Sequence, residues 1–77
     1  MDIVKIEWED ATTQHGWYGR DDLKRILAQV VTVGFLESKN KKVVTIVQSH
    51  SSIDDGFADM IMIPTACIKS MKKIGKV

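Results

Sequence analysis

The sequence predicts a mostly β domain, a small, five-stranded, strongly bent barrel with one short helix. Three observations carry that expectation. Two β-branched-rich runs, Val30–Leu36 and Val43–Val47, flank the polar connector Ser-Lys-Asn-Lys-Lys. Val, Thr, Ile and Phe suit a pleated, half-buried surface, and Ser, Asn and Lys clusters mark turns, so the stretch reads as a hairpin. Gly34 interrupts the first run; an interior strand glycine marks a bulge or bend, which a sheet needs in order to curl onto itself. Length supplies the third observation. Seventy-seven residues make one domain, 1–77, with a marginal core of the kind that oligomerisation often supplements.

Each element follows in order. Asp2–Glu9 alternates Ile3, Lys5 and Glu7 with Val4, Ile6 and Trp8, a half-buried first strand whose Trp8 should anchor the core. Asp10–Arg20 has two glycines and no periodicity, and reads as a long loop. From Arg20 to Ala28, Asp21 and Asp22 precede Leu23, Ile26 and Leu27 at i, i+3, i+4 spacing, predicting a two-turn helix that lids one end of the barrel, with Lys24 and Arg25 facing outward. The central hairpin comes next. Gln48–Gly56 is polar and contains the turn signal Asp-Asp-Gly. Phe57–Ile63 is a fourth strand, ended by Pro64, which has no amide proton to give a ladder. Thr65–Cys67 is a tight turn and Ile68–Ile74 a last strand, leaving 75–77 as a frayed tail.

Composition narrows the function classes. No apolar run approaches the roughly 18–20 residues of a membrane span, and no signal-peptide layout opens the chain. The lone Cys67, in the apolar context Thr-Ala-Cys-Ile, reads as a small buried hydrophobe in an intracellular protein. Net charge is +1, but it is unevenly spread: residues 1–22 carry six acids against two bases, a net −4, and residues 23–77 nine bases against four acids, a net +5. Lysines cluster at Lys39–Lys42 and Lys69–Lys76. Such runs either form a patch for phosphate-bearing partners or keep strand ends soluble and unpaired.

Five strands, one helix and the closing segment Ile61–Ile68 resemble the plan of Src-homology-3-type and Sm-like barrels. In Sm-like proteins the helix comes first, whereas here a strand precedes it. The chain also resembles a group of small phage-encoded proteins of unassigned function. Their pattern is an early Trp (Trp8), a Gly-Trp loop (Gly16-Trp17), Val-Gly-Phe-Leu in a hairpin (Val33–Leu36) and a late Ile-Pro-x-x-x-Ile (Ile63–Ile68). That resemblance implies a phage accessory protein acting in the host cytoplasm, and it supplies no catalytic residues.

The residues offer little for catalysis. His15, His50 and Cys67 lie far apart with no metal-ligand spacing, so no metal and no cofactor is expected. Ser51 or Ser52, His50 and Asp54 assemble a nucleophilic set only on paper, without an oxyanion-hole motif. The informative stretch is Gln14–Arg20. Its glycines let a ligand approach the backbone, Trp17 and Tyr18 offer stacking faces beside His15, and Arg20 offers a planar donor fork. Trp and Tyr there either stack on a ligand, anchor a protein partner, or fold back to plug the barrel. The expectation is a non-enzymatic binding protein that captures a host nucleotide-type signalling ligand to counter defence. His15, Trp17, Tyr18 and Arg20 would clamp the ligand, and Lys39, Lys41 or Lys42 of a neighbouring copy in a homo-oligomer would neutralise its phosphate. The alternatives are a module that inhibits or redirects a host protein, and Sm-like RNA binding.

Overall fold

A computed structural model describes residues 1–13, 15–23 and 25–77. Five antiparallel strands form one sheet: β1 (Asp2–Asp10), β2 (Ala28–Lys39), β3 (Val43–His50), β4 (Phe57–Pro64) and β5 (Ile68–Lys76). Their spatial order is β4-β3-β2-β1-β5, so β4 and β5 are the two edges and no ladder joins them. The sheet is open where a closed barrel was expected. No helix among the described residues is long and apolar enough to cross a membrane.

The core follows from alternation. In β1, Val4, Ile6 and Trp8 are buried while Lys5 and Glu7 are exposed. Val44, Ile46 and Ile63 complete the cluster, with Val30, Leu36, Ile61, Cys67 and Ile68 packed against it. Each such aliphatic side chain contributes about 1.5–3 kcal/mol when fully removed from water. Trp8 donates its indole N–H to Thr32 Oγ1 at 3.0 Å, which satisfies the one polar atom its burial would otherwise strand. In β4, Ile61 and Ile63 face the core, and Met60 and Met62 stay exposed.

β2 is the strand on which the sheet turns. Ala28–Phe35 pairs with β1, and Phe35–Lys39 pairs with β3, so only Phe35 is held on both sides. A register shift between Leu36 and Ser38 adds a bulge just beyond. Gly34, paired with Val4, is the residue immediately before that change of partner. The β2–β3 turn is held by Asn40, whose Oδ1 accepts from the amides of Lys42 and Val43 at 2.8 and 2.9 Å.

Two elements differ from expectation. Arg20–Ala28 is not a two-turn helix: a single 3-10 turn covers Arg20–Asp22, Leu23 is extended, and β2 already begins at Ala28. Two turns are too short to hold without a buried face, and Leu23, Ile26 and Leu27 are all exposed. Arg25 does face outward; Lys24 lies outside the described residues. Nor does the C-terminus fray. Lys76 pairs with Asp2 and Gly75 with Ile3, and the Val77 amide donates to the Met1 carbonyl at 2.9 Å. Thr65–Cys67 forms the expected tight connection, as a second 3-10 turn.

Candidate interaction site

The long connection between β1 and β2 is an arm. Asp10 Oδ1 accepts from the Ala11 amide at 2.8 Å, and the Thr12 hydroxyl donates to the Ile26 carbonyl at 2.8 Å, tying the outgoing and returning legs together. Gly16 has φ +96, a left-handed conformation that glycine adopts freely and that turns the chain just before Trp17. Beyond it the Asp22 amide donates to the Gly19 carbonyl at 3.0 Å, closing the 3-10 turn. Every described residue from 11 to 27 is exposed.

That exposure decides where the predicted site residues stand. Trp17 is fully exposed, so its indole plugs nothing and touches none of the lysines. Tyr18 is half-exposed, and His15 and Arg20 are open to solvent. Gln14, the first residue of the predicted loop, lies outside the described residues. The indole, the phenol and the exposed Leu23, Ile26 and Leu27 place five large apolar side chains on one excursion of the chain.

Lys39, Lys41 and Lys42 sit at the β2–β3 turn, all exposed. Among the described residues the ion pairs are Lys5–Glu7, Lys69–Glu9, Lys73–Asp2 and His50–Asp55, and the turn lysines enter none of them. A route through the chain places this turn relative to the arm. Thr65 donates its amide to the Lys42 carbonyl and its hydroxyl to the Asn40 carbonyl, both at 2.9 Å. Three residues later Ile68 pairs with Trp8, two residues before the arm leaves at Asp10. These contacts tie the lysine turn to the start of β5, which pairs with β1 near the arm's departure, whereas the root of the arm itself pairs Asp10 with Ala28 at the other end of β2.

The polar β3–β4 turn organises itself differently from any catalytic set. His50 Nε2 lies 2.5 Å from Asp55 Oδ1, and its ring stacks obliquely on Phe57 with centroids 5.0 Å apart. Asp54 accepts from the Gly56 amide at 3.0 Å and from the Ser51 hydroxyl, and these donors hold its carboxyl below the ordinary value. Asp55, at φ +54, is the residue that brings its carboxylate back to His50. His50 is therefore engaged by Asp55 and Ser51 by Asp54, and no hydrogen bond among the described residues links His50 to a serine. Asp54 is not the histidine's partner. The Asp-Asp-Gly signal shows why it is not, because an Asp two residues before a Gly folds its carboxylate onto that glycine's amide. Beside the pair, a cavity of about 300 Å³ opens between His50, Ser51, Asp54 and Phe57.

No known family model, curated protein or solved structure matches this chain.

Proposed function

We propose that the protein is a non-enzymatic binding module that grips a protein partner through the arm 11–27, with Trp17 as principal anchor and Tyr18 and Arg20 beside it. One observation carries the reading: a tryptophan with its whole surface in water, between two glycines, contributes nothing to the fold that holds it. Trp, Tyr and Arg are the side chains that dominate binding energy when buried at an interface, and an aromatic anchor suits an apolar pocket on the partner. The order of the strands and the change of partner along β2 support reading the sheet as an incompletely closed barrel of the Src-homology-3 or Sm-like kind. Resemblance to small phage proteins supports a host protein as the partner, inhibited or redirected in the host cytoplasm.

A nucleotide-type ligand is the second reading, favoured by three turn lysines that enter no ion pair among the described residues. Lys39, Lys41 and Lys42 would meet phosphate there, and the aromatics of the arm would have to close over the base. Affinity capture from host lysate, followed by native mass spectrometry, separates the two. Protein-mediated function predicts a host polypeptide retained by the parent and lost with Trp17→Ala. Ligand capture predicts an added small mass that is lost with Lys41→Ala and Lys42→Ala together. Retention of the same polypeptide by Trp17→Ala as by the parent overturns the first reading.

A further inference from the structure

We propose that a second copy of this chain pairs antiparallel along the open edge of β2, across a two-fold axis at Val30. This surface is separate from the aromatic tip of the arm and does not depend on the proposed function. Its starting point is the change of partner along β2. Beyond Phe35 the side of β2 facing away from β1 is occupied by β3, but from Ala28 to Thr32 no strand lies there. β3 diverges after Val47, and the Gln48 side chain fills the gap, donating to the Val33 carbonyl at 3.0 Å. A carbonyl that meets β3's side chain points away from β1. Strand alternation then puts the N–H and C=O of Val31 and Gln29 on the same open side. None of the turn, loop or cap backbone bonds among the described residues reaches either.

The sheet has three open edges, and two of them are protected against pairing. β5 carries Lys69, Lys72, Lys73 and Lys76, which would repel a second copy of themselves. β4 ends in Pro64 and is distorted by Asp59 at φ +58, a residue its ladder with β3 skips. The β2 edge has no such device. Leu27–Val33 reads LAQVVTV, with no charge, no proline and no glycine, a composition that pairs readily with itself. Ala28–Thr32 offers about 17 Å of edge.

The two-fold at Val30 is chosen by what it satisfies. It sets Gln29 opposite Val31 of the second copy, and the reverse, which engages the open-side N–H and C=O of both residues in each copy in four hydrogen bonds. It also sets Leu27, 53% exposed, opposite Val33, 45% exposed, on the outward face where Val31 is 60% exposed. Strands β5, β1 and β2 of each copy then continue into one sheet, the isologous arrangement expected of a symmetric dimer.

Light scattering of the whole protein at micromolar concentration tests this, together with two variants. Val31→Pro removes an amide that points to the open edge and leaves the β1 ladder its bonds. Gln29→Lys with Val31→Lys gives this edge the charge that β5 already has. The expected result is a mass near twice the 8.7 kDa of one chain for the parent and near 8.7 kDa for both variants. A monomeric parent overturns the proposal, as does a dimer that survives in either variant. Should both variants unfold, amide exchange of the parent decides: Gln29 and Val31 must be protected at high concentration and exchange freely on dilution, and exchange independent of concentration overturns it.

Discussion

Gly34 lies directly against Ile46: a β-carbon at position 34 would stand 2.6 Å from Ile46 Cγ2 and 2.8 Å from the Val47 carbonyl oxygen. The second of those atoms is backbone and cannot swing aside. The absence of a side chain is therefore what lets β2 cross close over β3 as it passes from one partner strand to the other. Gly34→Ala should destabilise the domain, and Gly34→Val should cost about 1–3 kcal/mol or more through overpacking. Urea melts of the two variants check this; parent-like midpoints would mean that β2 does not bend here.

Trp8 should prove indispensable for a different reason. Its ring fills the core and its N–H is matched to Thr32 Oγ1. Trp8→Ala should cost about 3–5 kcal/mol, most of the stability of a domain this small. Thr32→Val keeps the shape but leaves the indole N–H without its acceptor, at about 1–3 kcal/mol. Thermal denaturation followed by far-UV circular dichroism separates these, with Thr32→Val melting between the parent and Trp8→Ala.

Acid should loosen the β3–β4 turn. Asp54 titrates below its ordinary 3.8, chiefly because the Gly56 amide and then the Ser51 hydroxyl donate to its carboxylate. A carboxyl lowered by folding stabilises the folded state fully above its unfolded value, and that contribution is lost as pH falls through the folded value. The Gly56 amide should therefore stay fixed in its NMR shift down to about pH 4 and move below it. Asp54→Asn should abolish that titration, and a Gly56 amide that still moves in the variant would assign it to another group.

Much of this fold is legible in the sequence because strands announce themselves locally. The β-branched runs, the Asn-Lys and Asp-Asp-Gly turns and Pro64 place all five strands to within a few residues, and alternation around Trp8 marks it as core. What depends on distant pairing is not legible. Leu23, Ile26 and Leu27 have helical spacing, but spacing cannot say whether a core exists to receive them, and here none does. Closure of the barrel likewise rests on whether β4 and β5 meet, which no residue in either strand specifies. The candidate site divides along the same line. Trp17 stands apart from Trp8 by its setting between Gly16 and Gly19 and its lack of periodic partners, whereas the tie between the lysine turn and the start of β5 is set by Thr65 bonding to Lys42, a contact with no local signature.

That Trp17 serves binding and not folding is checked by one melt and one capture assay on Trp17→Ala. The expected melting midpoint corresponds to a change within about 0.5 kcal/mol of the parent. Retention of the host partner should weaken by roughly ten- to a hundredfold, the usual effect of removing an aromatic anchor. A variant that unfolds, or one that keeps both its stability and its partner, would contradict it.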